Sequence, residues 1–209
     1  MPTGAEDLAA RLAALPAAVR LVFFTQTFGC DTCLPARQVV DRIASLSDQI
    51  TVEEYNIVLD KDEVSTYRIE RAPAVAVVGD RDLGLRFYGV PGGYEMASIV
   101  DAVLLAATGD VGLSPESLAA IAAVDRPIDL KVFVTPTCAF CPQVVSMAYR
   151  LAAASDQITA SVIEATAYPE LVKQYQVTGV PKTVVNDQVE ILGVQPEEVF
   201  VREALRVRE

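Results

Sequence analysis

The four cysteines of this chain form two C-x-x-C pairs, Cys30 with Cys33 and Cys138 with Cys141, and none is left over. Two thiols at this spacing can lie on one helical turn, where they interconvert between dithiol and disulfide. The spacing also suits zinc thiolates, but a zinc ribbon separates its pairs by roughly 15–20 residues. Because 104 residues lie between Cys33 and Cys138, we favour thiol–disulfide exchange and expect no metal.

The composition excludes several alternatives to thiol chemistry. The 209 residues contain no histidine, which rules out a Ser-His-Asp triad, a Cys-His pair and imidazole-bound zinc. The 28 acidic against 17 basic side chains give a formal charge of −11, which disfavours nucleic acid and anionic lipid. We therefore expect no nucleic acid partner.

The sequence also predicts no membrane association. The richest apolar run, Ile99 to Ala107, contains Asp101 and is well short of the roughly 18 residues of a spanning helix. The first residues lack the basic start of a secretory signal. The expected location is the cytoplasm, where paired cysteines are usually catalytic or metal-binding.

The two cysteine pairs belong to an internal repeat. Ser47-Asp-Gln-Ile-Thr51 recurs unchanged as Ser155-Asp-Gln-Ile-Thr159, at the 108-residue offset that separates the cysteine pairs. Pro73 and Pro181 keep that offset, each 40 positions after the second cysteine of its half. An identical pentapeptide in register with the motifs indicates duplication. The predicted units are residues 1–110 and 111–209, each with one motif.

Each unit must place its motif between a strand and a helix. The apolar runs Arg20–Thr25 and Leu130–Thr135 are typical of buried strands, and a helical pattern follows each motif. The predicted order in each unit is a leading helix and then β-α-β-α-β-β-α, a mixed α/β sheet covered on both faces. Unpaired amides at a helix start favour negative charge and lower the pKa of the first cysteine. The predicted attacking thiols are Cys30 and Cys138, and the resolving thiols are Cys33 and Cys141.

The two matched prolines supply a second part of each predicted site. Each precedes an apolar strand, and their equal spacing from the cysteines predicts a cis peptide bond at both. The backbone of the preceding residue would then lie beside the sulfurs and pair with an extended substrate. The predicted substrate-binding residues are Ala72, Pro73, Val180 and Pro181.

This combination resembles the thioredoxin fold, and its tandem form is similar to the glutaredoxin-like protein disulfide oxidoreductases of thermophilic bacteria and archaea. The resemblance is carried by the two C-x-x-C pairs, Phe133–Pro142, Thr178–Pro181 and Phe87–Glu95. It implies two tandem thioredoxin-like folds, each a mixed β-sheet flanked by helices. It also implies reduction, oxidation or isomerisation of protein disulfides, with no cofactor beyond the redox-active disulfides Cys30–Cys33 and Cys138–Cys141.

The resemblance implies partners as well. They are protein thiol or disulfide substrates, with a thioredoxin-reductase-like flavoprotein as candidate electron donor. Because the tandem form also resembles the doubled segment of alkyl hydroperoxide reductase flavoproteins, an electron carrier to a peroxiredoxin is the first alternative. A non-catalytic thioredoxin-like chaperone module is the second.

Two departures from these families bear on the chemistry. The glutathione-binding Gly-Gly-x-Asp pattern of glutaredoxins is not evident. The acidic residue that thioredoxins place six positions before the first cysteine is Phe24 or Val132 here. Glu164, on a predicted strand of the second unit, is therefore a candidate proton relay for Cys141.

The two sites are predicted to be unequal. Asp31 places a carboxylate next to Cys30, and a nearby negative charge disfavours a second one. Ala139 imposes no such penalty on Cys138. We therefore expect more thiolate at the carboxy-terminal site, unless solvent screens Asp31 and makes the sites similar.

Overall fold

The computed structural model of the chain describes residues 4–207, and residues 4–8 by backbone alone. Its helices are α1 (Gly4–Ala13), α2 (Cys33–Ala44), α3 (Lys61–Thr66), α4 (Glu95–Thr108), α5 (Pro115–Ala122), α6 (Cys141–Ala154), α7 (Pro169–Gln174) and α8 (Glu197–Ala204). Its strands are β1 (Val19–Thr25), β2 (Ile50–Asn56), β3 (Ala74–Val78), β4 (Asp82–Tyr88), β5 (Ile128–Val134), β6 (Ile158–Glu164), β7 (Lys182–Val185) and β8 (Val189–Leu192). The predicted order of elements recurs in both halves.

The strands form one mixed sheet rather than two separate ones. Their order is β2-β1-β3-β4-β6-β5-β7-β8, so each half contributes four neighbouring strands. The halves join where β4 pairs in parallel with β6, from Leu85 opposite Ala160 to Tyr88 opposite Ile163. The joint buries apolar residues of both strands, which explains why β4 is buried from Leu83 onward. Pairing between distant segments leaves no local pattern in the sequence.

Helices cover both faces of this sheet. On one face, α2, α4 and α6 pack over a core that includes Phe23, Phe87 and Tyr149. A smaller core on the other face includes Phe24, Phe133 and Leu171 of α7. Burial of each large apolar side chain contributes about 1.5–3 kcal/mol to folding.

Local signals explain most element boundaries. Asn186 and Asp187 both have positive φ, as the tight turn between β7 and β8 requires. The Ser114 side chain accepts a hydrogen bond from the Ser117 amide and so caps α5. Helix α3 has Asp62 and Glu63 in its first turn, where acidic side chains suit the helix dipole.

The connection between α4 and α5 contains the predicted boundary near residue 110. Helix α4 ends at Thr108 and is capped by Gly109, whose φ of 67° is left-handed, as helix ends commonly require. The division into units 1–110 and 111–209 stays a prediction. None of the helices within residues 4–207 is long and apolar enough to cross a membrane.

Candidate functional site

Each C-x-x-C pair closes a disulfide at the predicted place between a strand and a helix. The Cα atoms lie 5.4 Å apart in Cys30–Cys33 and 5.5 Å apart in Cys138–Cys141, within the ordinary range for a disulfide. The second cysteine is the first residue of α2 or α6. Strand and helix therefore hold both sulfurs at the carboxyl end of a central strand.

The two sulfurs of each pair differ in exposure. Cys30 and Cys138 are partly exposed, whereas Cys33 is 7% exposed and Cys141 is fully buried. A sulfur that is reached from solvent can form a mixed disulfide with another protein. The buried sulfur of the second cysteine can then attack only the sulfur of the first cysteine.

The N-termini of α2 and α6, which lie beside these sulfurs, lack groups within the helix that would neutralise the positive end of the helix dipole. Neither α2 nor α6 has an acidic residue in its first turn, and within residues 9–207 neither has a side-chain cap. The amide of Cys33 lies 3.3 Å from the Cys30 carbonyl, and that of Cys141 lies 3.4 Å from the Cys138 carbonyl. This arrangement favours a thiolate on the first sulfur once the disulfide is reduced.

The matched prolines are cis at both sites, as predicted: Ala72–Pro73 and Val180–Pro181. The Pro73 carbonyl accepts a hydrogen bond from the Gly89 amide at 3.0 Å. The Val180 carbonyl lies 3.9 Å from the sulfur of Cys138. In the carboxy-terminal unit the predicted backbone thus lies beside the sulfur.

Sequence reasoning missed a buried carboxyl group, that of Glu95, which follows a segment packed on the loop before Cys138. Its side chain is fully buried at the start of α4, and its Oε2 accepts a hydrogen bond from the Ser98 hydroxyl at 2.7 Å. Its Oε1 has no hydrogen-bond partner among the described residues. Burial raises the pKa of Glu95 to about 7. The hydrogen bond from Ser98 lowers this pKa by less than burial raises it, and the negative charge of Glu164 raises it further.

The backbone around Glu95 contacts the loop that leads to Cys138. The amide of Tyr94 donates to the Pro136 carbonyl at 2.9 Å. Gly93, with a φ of 60°, packs so closely on that carbonyl that a Cβ atom there would collide with it. The buried carboxyl of Glu95 therefore directly follows the backbone segment that packs on the loop before Cys138. An acidic residue in a helical first turn is common, which is why the sequence alone did not mark Glu95.

Glu164, the predicted proton relay, is buried, close enough for its charge to act on Glu95. It ends β6 opposite Val134, and its Oε1 accepts hydrogen bonds from the amide and the hydroxyl of Thr166. Among the described residues, Oε1 of Glu95 is a fully buried carboxylate oxygen without a hydrogen-bond partner. The role of Glu164 as a proton relay for Cys141 stays a prediction.

Comparisons with known proteins identify the relatives of this arrangement. A family model described as a thioredoxin domain matches residues 128–206. An NADH dehydrogenase of Bacillus subtilis (strain 168) is 26% identical over 160 residues. That match includes 76% of this chain and 29% of the relative, so the chain spans under a third of that protein's length.

Two solved structures share the whole tandem arrangement. The NTD_N/C domain of the alkylhydroperoxide reductase AhpF from Enterococcus faecalis (V583) has a TM-score of 0.87 at 26% identity, over 94% of this chain and 95% of that one. A protein disulfide oxidoreductase from Aeropyrum pernix K1 has a TM-score of 0.88 at 25% identity, over 96% and 90%. The predicted resemblance and fold class are confirmed.

Proposed function

We propose that this chain, a thioredoxin-like disulfide oxidoreductase with two C-x-x-C sites, exchanges disulfides with other proteins at both sites. The observation that carries the proposal is the contrast within each pair. A partly exposed first sulfur lies at an uncapped helix start, and a buried second sulfur lies behind it. A purely structural disulfide needs no such difference in access.

The proposed reduction runs in two displacements. The thiolate of Cys138 attacks one sulfur of the substrate disulfide, forming a mixed disulfide and releasing the first substrate thiolate. The thiolate of Cys141 then attacks the Cys138 sulfur, which reforms the Cys138–Cys141 disulfide and releases the second substrate thiolate. Two electrons pass to the substrate, and its two thiolates take up two protons. Cys30 and Cys33 perform the same steps at the other site.

The backbone before each proline would hold the substrate during these steps. We assign substrate binding to Ala72 and Pro73 at one site and to Val180 and Pro181 at the other. The support is the position of the Val180 carbonyl beside Cys138. An extended peptide can pair with such a backbone segment as it does with a sheet edge.

The proposal includes the cofactor and the partners. We propose that the two disulfides are the only redox groups needed, with a thioredoxin-reductase-like flavoprotein as electron donor in the cytoplasm. The whole-chain likeness to an AhpF domain favours one further candidate, an electron carrier that reduces a peroxiredoxin. In that role the reduced chain would transfer its electrons to an oxidised peroxiredoxin rather than to varied protein disulfides.

Insulin reduction by dithiothreitol tests the proposal. The wild-type chain is expected to accelerate precipitation of the insulin B chain well above the dithiothreitol rate. The four-fold variant Cys30→Ser/Cys33→Ser/Cys138→Ser/Cys141→Ser has the same surface otherwise and is expected to fall to that background. A wild-type rate equal to that of this variant would reject the proposal and favour the chaperone alternative.

A further inference from the structure

The proline loop of the amino-terminal site is held by the carboxy-terminal half of the chain. The hydroxyl of Tyr168, the residue that precedes α7, donates a hydrogen bond to the Pro73 carbonyl at 2.9 Å. Tyr168 is only 6% exposed, so water competes little for this bond. The bond joins residues 95 positions apart in the chain.

Arg71 makes a second set of contacts on the other side of Ala72. Its guanidinium lies 3.4 Å from the Glu170 carboxylate of α7 and the same distance from that of Glu70. It also lies 5.6 Å from the centre of the Tyr168 ring, within the range of a cation–π contact. The residues before and after Ala72 are therefore both held by the start of α7.

Among residues 9–207, the carboxy-terminal site has no counterpart of these contacts. At the 108-residue offset, Tyr168 corresponds to Asp60 and Arg71 corresponds to Gly179. Asp60 accepts a hydrogen bond from the Asn56 amide instead of reaching a proline loop. The contacts made by Tyr168 and Arg71 therefore act on the proline loop of the amino-terminal site and not on that of the carboxy-terminal site.

We propose that Tyr168 is a positioning residue for the amino-terminal site, holding the Ala72–Pro73 backbone ready for substrate. This inference rests on the proposed function, since it concerns the binding step of the same exchange. A loop already held in its binding position loses less conformational entropy when a peptide pairs with it. Burial raises the pKa of Tyr168 well above its usual value, and the nearby charge of Arg71 lowers it only in part. The hydroxyl therefore keeps the proton that it donates.

Single-site backgrounds separate the effect on one site from the effect on the other. Cys138→Ser/Cys141→Ser leaves only the amino-terminal site, and Cys30→Ser/Cys33→Ser leaves only the carboxy-terminal one. In the first background, Tyr168→Phe is expected to raise the KM for insulin about fivefold with little change in kcat. A change of this size corresponds to the loss of one hydrogen bond. In the second background it is expected to change neither constant.

A matched control distinguishes loop positioning from general loosening. Tyr175→Phe removes a tyrosine hydroxyl bond of the same segment, to Asp187 at 2.8 Å, and is expected to leave both sites unchanged. Equal effects of Tyr168→Phe in the two backgrounds, or an unchanged KM at an active amino-terminal site, would overturn the proposal.

Amide hydrogen exchange decides the question even if the amino-terminal site is inactive. An inactive single-site background would refute the proposed function at that site but would leave the loop open to measurement. Tyr168→Phe is expected to speed exchange about fivefold within residues 70–74 and to leave residues 178–182 unchanged. Unchanged exchange at residues 70–74, or equal acceleration of both loops, contradicts the positioning role.

Discussion

Cys138→Ser is expected to remove more insulin-reducing activity than Cys30→Ser, with residual rates that differ about threefold to fivefold. Asp31 lies next to Cys30, and repulsion between two charges near a protein surface is worth roughly 1 kcal/mol. That energy disfavours the Cys30 thiolate, whereas Cys138 is followed by neutral Ala139. Initial rates of insulin reduction, measured with each single variant at pH 7 and equal protein concentration, give the comparison.

The exposure of Asp31 supplies the control for this prediction. Asp31 is exposed, so its effect on Cys30 should weaken as salt rises from 0.01 M to 1 M, where the screening length falls to about 3 Å. Asp31→Asn in the Cys138→Ser/Cys141→Ser background should raise the rate of the amino-terminal site at low salt. Equal losses from Cys30→Ser and Cys138→Ser, or a larger loss from Cys30→Ser, would show that screening makes the sites alike.

The free energy of unfolding of Glu95→Gln, measured relative to that of the wild type, is expected to rise by about 2.5 kcal/mol as the pH goes from 5 to 8. Burial raises the pKa of Glu95 to about 7 in the folded chain, above the value of 4.5 that applies when the chain is unfolded. The folded state therefore binds more protons than the unfolded state between these values. Because of Glu95, the free energy of unfolding of the wild type decreases as the pH rises through that window. Glutamine does not titrate, so the variant does not show this decrease.

Urea unfolding of the oxidised protein at pH 5, 6.5 and 8 measures this difference. Glutamine keeps the shape of the side chain and an oxygen that can accept from Ser98, so the native packing is preserved. Glu203→Gln, at a partly exposed carboxylate that pairs with Arg206, is the control and should not reproduce the gain. A constant difference between Glu95→Gln and wild type across the three pH values would contradict a raised pKa at Glu95.

Much of the fold was predictable because its signals are local or repeated. The pentapeptide at Ser47–Thr51 and its copy fixed the register of the two halves, and the matched prolines predicted both cis bonds, which are present. Buried strands such as β1 and β5 are continuous apolar runs, which the sequence displays directly. These features require only neighbours along the chain or an internal copy for comparison.

The features that sequence reasoning missed all arise where the halves meet. The pairing of β4 with β6, the buried Glu95 and the hydrogen bond from Tyr168 to Pro73 join residues far apart in the chain. A glycine such as Gly93 needs its positive φ and close backbone contact only because of this joint. An internal repeat predicts what the halves share, and it cannot predict what each half contributes to the other.

Trapping of the mixed disulfide tests most directly the claim that the first cysteine of each pair attacks substrate. Cys33→Ser and Cys141→Ser remove the resolving thiols and, in the reduced chain, are expected to accumulate covalent adducts with a disulfide-containing peptide. Peptide mapping by mass spectrometry should place these adducts on Cys30 and Cys138, and Cys30→Ser/Cys138→Ser should form almost none. Adducts on Cys33 or Cys141, or the absence of adducts from both resolving-thiol variants, would contradict the proposed exchange.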